Sequence, residues 1–241
     1  MKNGTTKNGL LLGALVAAVL PASAIIVTDP TRTWSVGYTV SDDGNTAGPF
    51  GLNVADSAIG VITRVEVGLS FNGVGLDGGF AGDLVVTLAW TPVGGGPQDI
   101  VTSHLLNRIG VGTLDGGTVG FGYDSLNVTL SDDAAGGDIH TTSLVGAALT
   151  GAFEPDGRAV ATGNDRDYRL NVFNGQPGNG NWQLYVTDLS SGGQMRLDTW
   201  SLSLTGDNQV PEASTWAAGA ALLGLVAWRR WRSRQARDPL T

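Results

Sequence analysis

Apolar and polar residues alternate along most of this chain. Six segments carry an apolar residue at every second position, and each has at least one Thr, Ser, Gln, Glu or Gly between these positions: 34–40, 65–71, 84–90, 126–130, 182–186 and 200–204. A half-buried strand shows this period. A helical period is absent between the two ends of the chain, apart from one short turn of helix that we expect within 138–150.

One-faced sheets must cover each other's apolar sides, so the pattern predicts an all-β fold, an antiparallel jelly-roll-like β-sandwich. We expect the tryptophans of these segments in its core, where each buries a large area.

The N-terminus has the pattern of a secretory signal. Lys2 and Lys7 precede an apolar run of eleven residues, Leu10–Leu20, and Ala22 and Ala24 supply the small residues at a cleavage site. A transmembrane helix needs about 20 apolar residues, so this run favours a signal helix that is cut after Ala24. A buried N-terminal helix is the alternative.

A second apolar run lies near the C-terminus. Sixteen residues without a charge, 213–228, have Trp216 and Trp228 near their ends. At about 1.5 Å per residue the run spans roughly 24 Å, enough for a short transmembrane helix in a locally thinned bilayer. Arginines follow it as a stop-transfer signal and place the C-terminus in the cytoplasm: Arg229, Arg230, Arg232, Arg234 and Arg237. An amphipathic surface helix fits less well, because the run has no polar stripe.

The tail resembles the PEP-CTERM sorting signal of Gram-negative bacteria. In that family a Val-Pro-Glu-Pro motif precedes a short transmembrane helix and an arginine cluster. Val210, Pro211, Glu212 and Ser214 fit this arrangement, whereas Ala213 stands at the usual second proline. The resemblance implies processing by a membrane-embedded exosortase. It also implies an intermediate that is anchored in the inner membrane and then exported to the cell surface or extracellular matrix.

The amino-acid composition limits the functions that residues 25–209 can have. Residues 25–209 contain seven arginines, no lysine and twenty Asp and Glu residues, a net charge of −13. Such a surface repels phosphate backbones and argues against nucleic-acid binding. The chain has no cysteine, which excludes disulfides and thiolate catalysis. Glycine is 37 of 241 residues, about twice the usual ~7%, as short strands and tight turns require.

The stretch 171–206 resembles the end of the P domain, or Homo B domain, of proprotein convertases. The matching residues are Phe173, Gly175, Asn179, Gly180, Trp182, Leu184, Val186, Asp188, Gly192, Trp200, Ser201 and Leu202. Upstream, Gly82-Asp83-Leu84 is similar to a strand start of the same family, and the resemblance runs over 59–206. It implies a non-catalytic β-sandwich, and we expect this one to stand alone, without the protease domain that precedes it in the family.

Two kinds of residue are candidates for chemistry. Ca²⁺ is the one cofactor that the sequence supports, with Asp83 and Asp188 as ligands implied by the family-like motifs. A second acidic cluster comprises Asp132, Asp133 and Asp138. Ordinary solvated turn carboxylates are the alternative. His104 and His140 lack any local signature of a catalytic triad, so we interpret them as structural.

Together these observations predict an exported, non-enzymatic surface or matrix protein with a structural or adhesive sandwich. Its expected partners are signal peptidase, an exosortase-like enzyme, transiently the inner membrane, and an extracellular polysaccharide or a secreted protease. Alternatives are a module that binds a subtilisin-like protease or carbohydrate, the latter on Phe121, Tyr123 and Tyr168, and a secreted hydrolase. The predicted segments are a signal peptide (1–24), an N-terminal strand region (25–58), the sandwich (59–206), a linker (207–215), the transmembrane helix (216–228) and a cytoplasmic tail (229–241).

Overall fold

A computed structural model describes residues 25–75, 78–143, 147–208, 223–226 and 228–230. All strands belong to one compact unit, Ala24–Val210. They are β1 (Ile26–Thr28), β2 (Arg32–Thr39), β3 (Thr46–Val54), β4 (Ile59–Val74), β5 (Leu84–Thr91), β6 (Val101–Asn107), β7 (Ser125–Leu130), β8 (Ala148–Phe153), β9 (Gly180–Asp188) and β10 (Gln194–Asn208). Single turns of 3₁₀ helix occur at Ala81–Asp83, Pro97–Asp99 and Leu170–Phe173.

The strands form two sheets. The larger sheet has the order β1-β10-β4-β7-β8, and β2 pairs with β10 on the same side as β1. The smaller sheet has the order β3-β9-β5-β6. The prediction of a mostly β fold with sandwich-like sheets is confirmed, and the six segments of period two lie in strands except for Val40, which follows the end of β2.

The core lies between apolar faces that the alternating pattern creates. Trp90, Trp182 and Trp200 are buried there, as expected, whereas Trp34 is only half-buried. The ring centroids of Trp90 and Trp182 lie 6.3 Å apart, and Phe173 packs on Trp182 at 5.0 Å.

The structure differs from two expectations about the strands and the segment that connects them. The sandwich is not wholly antiparallel, because β7 and β8 pair in parallel from Ser125↔Ala148 to Leu130↔Phe153. A parallel pair needs a connection of about a dozen residues or more, and the segment 131–147 supplies it. The short helical turn expected within 138–150 is absent from the described residues 138–143 and 147–150, where Asp138 forms a β-bridge with Glu154 and Ala148 begins β8.

The predicted signal helix (1–24) lies outside the described residues, as does most of the predicted transmembrane segment. Residues 223–226 and 228–230 are helical and belong to a separate unit from the sandwich. Within the described part of the chain, no helix is both long and apolar enough to cross a membrane.

Candidate functional site

The predicted calcium ligands Asp83 and Asp188 lie at one end of the smaller sheet. Asp83 ends a 3₁₀ turn just before β5, and Asp188 is the last residue of β9. Because β5 and β9 are antiparallel with Leu84 opposite Asp188, both carboxylates reach the same end of the sheet. The backbone N–H of Leu189 donates to the Asp83 carbonyl at 3.0 Å and fixes this approach. The structure therefore brings the two acids together.

A third acid, Asp42, joins them from the loop between β2 and β3. The N–H of Gly44 donates to the Asp188 carbonyl at 3.0 Å, and the N–H of Gly192 donates to Asp42 Oδ2 at 3.4 Å. Asp42 Oδ1 and Asp188 Oδ2 are buried, and neither has a hydrogen-bond donor among the described residues. We refer to Asp42, Asp83 and Asp188 as the carboxylate cluster.

The electrostatics of the carboxylate cluster favour uptake of positive charge. Burial, together with the negative charges of Asp83 and Asp42, raises the pKa of Asp188 to about 6, although the N–H of Ser190 opposes this. Burial also raises the pKa of Asp83, against the Ser190 hydroxyl and the Arg108 guanidinium. Arg108 is the nearby cation, and its Nη2 lies 3.8 Å from Asp83 Oδ1. Such a cluster can take up a proton or a cation.

Calcium binds six to eight oxygens, and the unpartnered oxygens of Asp42 and Asp188 are ligands of the right kind. However, no group of three or more His, Cys, Asp or Glu side chains within the described ranges is already arranged to hold a metal ion. Calcium binding by Asp83 and Asp188 therefore stays a prediction. It requires Asp42 or backbone oxygens to close around the ion.

The second predicted acidic cluster is divided, because Asp132 and Asp133 line one cavity whereas Asp138 lies in another cluster. Asp132 accepts the N–H of Leu170 at 3.0 Å, and Asp133 pairs with Arg64 at 3.0 Å. Asp138 instead pairs with Arg158. Each carboxylate is therefore held by a different partner.

His140 lies in a second buried cluster, with Asp156, Arg158 and Asp138. Its Nδ1 is 2.6 Å from Asp156 Oδ2, and its Nε2 is 2.9 Å from the carbonyl oxygen of Val111. Both partners are acceptors, so the geometry favours a ring that carries both protons. Burial disfavours that charged ring, but the hydrogen bond and charge of Asp156 outweigh it and the pKa of His140 is raised. We call these four residues the histidine network.

A His–Asp pair beside a cavity is the feature that would support a hydrolase. The cavity here has a volume of about 400 Å³, and His140, Arg158, Thr113 and Thr162 are among the residues that line it. In a catalytic triad the second ring nitrogen accepts a proton from the nucleophile. Here the Val111 carbonyl occupies that nitrogen, so the arrangement supplies no free general base.

His104 is placed apart from any acid–base arrangement. Its Nδ1 lies 3.4 Å from Thr87 Oγ1, and its ring packs edge-on against Tyr168. Burial lowers its pKa, which keeps the ring neutral. The interpretation of His104 as a structural residue therefore fits its surroundings.

The aromatic shelf expected on Phe121, Tyr123 and Tyr168 does not form. Phe121 and Tyr123 are buried in the core, where their rings contact each other at 5.8 Å, and Tyr168 alone is exposed. Sequence reasoning missed other aromatic residues, Trp34, Tyr38 and Phe50, that line an open groove. The alternation at Trp34 and Tyr38 predicts a strand but does not reveal that this strand ends a sheet, and Phe50 lies in a stretch without such alternation.

The predicted residues at the two ends lie mostly outside the described part of the chain. This applies to the cleavage residues Ala22 and Ala24, the sorting motif Val210, Pro211, Glu212 and Ser214, and the stop-transfer residues Arg232 and Arg234. Arg229 and Arg230 lie in the helical residues 228–230 and are exposed. The sorting signal remains a prediction from the sequence.

Comparison with known families and structures supports part of these interpretations. Residues 152–204 match the family model of the proprotein convertase P-domain. The matched segment runs from the end of β8 through β9 into β10, and it includes Asp188. It covers the last part of the resemblance expected over 59–206. A search of curated proteins finds no match.

Two solved structures from infectious bursal disease virus are similar to the chain. The VP2 subviral particle is 15% identical, with a TM-score of 0.36, over 83% of this chain and 38% of that chain. The structure of the Gx strain is 14% identical, with a TM-score of 0.32, over 84% of this chain and 37% of that chain. This chain thus corresponds to well under half of either neighbour. At these scores the likeness carries no functional argument.

Proposed function

We propose that this chain is an exported, non-catalytic protein of the cell surface or extracellular matrix, with a structural or adhesive β-sandwich. One observation carries the proposal: the sandwich lies between a signal-like N-terminus and a tail with a Val-Pro-Glu motif, a short apolar run and five arginines. Signal peptidase would remove residues 1–24, and an exosortase-like enzyme would release the sandwich from the inner membrane.

The chemistry of the sandwich supports the non-catalytic part of this proposal. In the histidine network, both nitrogens of His140 are hydrogen-bonded to acceptors. The match of residues 152–204 to the P domain points the same way, since P domains are accessory and carry no catalytic residues. A secreted hydrolase remains the weaker alternative.

Cell fractionation tests the sorting step. We expect released wild-type protein to lack the arginine cluster in cells with the processing enzyme, and to stay in the membrane fraction without it. Glu212→Ala should accumulate in membranes with its tail intact. Asp115→Ala, which removes one exposed carboxylate from the sandwich, is the matched control and should be released normally. Released protein with an intact arginine tail would overturn the sorting proposal.

A module that binds a secreted subtilisin-like protease is the second candidate, and the P-domain match favours it. P domains steady the catalytic domain that they accompany. If this candidate is correct, adding the purified chain should raise the melting temperature of such a protease. An unchanged melting temperature at saturating chain would exclude it.

A further inference from the structure

An open groove lined by aromatic rings runs along one side of the sandwich. Trp34 and Tyr38 lie on β2 and Phe50 on β3, while the buried Trp200 forms part of its wall. The Trp34 and Trp200 rings lie 4.2 Å apart, and those of Tyr38 and Phe50 lie 5.3 Å apart. Tyr38 is 42% exposed. The groove therefore presents aromatic surface to solvent, and its volume of about 320 Å³ suits a small ligand.

The groove is open because it lies where both sheets end. Among the described strands, β2 pairs only with β10, and β3 pairs only with β9. The loop between β2 and β3 crosses from the larger sheet to the smaller one. Consequently, no further described strand lies beyond these two edge strands to cover the rings of Trp34, Tyr38 and Phe50.

The two edges are poorly suited to accepting another strand. On β2 the register shifts opposite Leu197–Thr199, and Gly37 there has φ +64°. On β3 it shifts between Ala47 and Phe50, where Pro49 has no N–H to donate. Bulges and proline on an edge oppose strand addition. A second copy is disfavoured further by the charge of −13 that each sandwich carries over 25–209.

The lining instead fits a neutral ligand with an apolar face. Among the described residues that line the groove, none is charged: Trp34, Ser35, Val36, Tyr38, Phe50, Gly51 and Trp200. The face of an aromatic ring is partly negative. The C–H groups on one face of a pyranose ring are partly positive, so they stack on it, while the sugar hydroxyls stay in water or reach the Ser35 hydroxyl.

We propose that this groove binds a neutral saccharide by stacking a sugar ring on Tyr38 and Trp34. The inference deepens the proposed adhesive role and rests on it, since it names the ligand class through which the exported sandwich would hold a matrix. The acidic surface of the sandwich repels acidic polysaccharides, so selectivity for neutral chains follows.

Affinity electrophoresis of the full-length chain tests the proposal directly. Gels would contain soluble neutral polysaccharides (dextran, a mixed-linkage β-glucan, galactomannan) or the acidic polygalacturonate. We expect at least one neutral polysaccharide to retard the wild-type chain, and Tyr38→Ala to weaken that retardation about tenfold. Tyr168→Ala is the matched control, because Tyr168 is 41% exposed and lies outside the groove. It should behave as wild type.

Melting curves of both variants would separate lost binding from lost folding, and Tyr38→Phe, which keeps the ring, should restore retardation to a folded protein. The proposal is overturned if no neutral polysaccharide retards the chain, or if Tyr38→Ala and Tyr168→Ala behave alike. It is also overturned if sedimentation shows a dimer that Tyr38→Ala abolishes, since a second copy would then occupy the groove. None of these results alters the sorting proposal, which fractionation tests separately.

Discussion

The carboxylate cluster and the histidine network are both buried, but they differ in charge balance. In the histidine network, Asp156 has two cationic partners, His140 at 2.6 Å and Arg158 at 3.2 Å. In the carboxylate cluster, Arg108 pairs with Asp83 alone, at 3.8 Å, and Asp42 Oδ1 and Asp188 Oδ2 have no donor among the described residues. Converging cationic partners thus offset the cost of burying a charged acid, whereas burial without such partners shifts the acid toward its neutral form.

Breaking the ion pairs of the histidine network should produce the largest change in the free energy of unfolding. Asp156→Asn leaves His140 and Arg158 buried without their shared anion, and removing one partner of a buried ion pair costs about 3–5 kcal/mol. Urea unfolding at pH 6 measures this loss. The half-buried pair of Arg64 with Glu66 near the surface provides the comparison, because Glu66→Gln should cost less than about 1 kcal/mol. Equal losses in the two variants would show that the histidine network is not balanced as described.

The contribution of the histidine network to folding stability should also depend on pH in a defined direction. The pKa of folded His140 is raised above its ordinary 6.5. Its contribution to stability is therefore fully present below about pH 6.5 and is lost as the pH rises through the raised value.

Removing the charge of Asp188 in the carboxylate cluster should stabilise the protein, whereas Asp156→Asn in the histidine network destabilises it. The pKa of Asp188 is about 6 when folded, against an ordinary 3.8, so the folded state holds that proton more tightly. Wild-type stability should fall as the pH rises from about 4 through 6. Asp188→Asn should stabilise the protein by about 2–3 kcal/mol at pH 8 and change little at pH 4, because each pKa unit corresponds to about 1.4 kcal/mol.

Thermal unfolding in EDTA at pH 4 and pH 8 checks this difference. Asp133→Asn is the matched control, because Asp133 is exposed and its pKa is lowered by Ser131 and by Arg64. Equal destabilisation of Asp188→Asn at both pH values would contradict the assignment of Asp188 as an acid without adequate partners.

Calcium bound at the carboxylate cluster should offset its excess negative charge, with a smaller effect on the stability of the fold. If the carboxylate cluster binds Ca²⁺, free Ca²⁺ at about tenfold above its Kd stabilises the fold by about 1.4 kcal/mol. The melting temperature should then rise from EDTA to millimolar calcium in wild type and in Asp133→Asn, but not in Asp188→Asn. An unchanged wild-type melting temperature would exclude the calcium site.

The sequence predicts the central strands of the fold better than its edges. Segments such as 84–90 and 182–186 carry a buried apolar residue at every second position, and both lie in the middle of the smaller sheet. β3 (Thr46–Val54) contains two glycines and a proline in an acidic, Gly-rich region, so its pattern resembles a loop. The parallel pairing of β7 with β8 is a long-range contact that no local pattern encodes.

The residues of the candidate sites were also only partly predictable from the sequence. The family-like motifs point to Asp83 and Asp188, and the structure brings them together. Asp42 could not be predicted, because it reaches the cluster only through the crossing of the β2–β3 loop. The groove was missed for a related reason: Trp34 and Tyr38 show the same alternation as core residues, and only sheet order reveals that they lie at an edge.

The intact mass of the mature protein shows whether both ends are removed during export. Protein recovered from the cell surface or medium should begin at Ile25 and end before the arginine cluster, with the sandwich complete. A recovered chain that still carries Met1–Ala24 or Arg229–Arg237 would overturn the proposed export and processing.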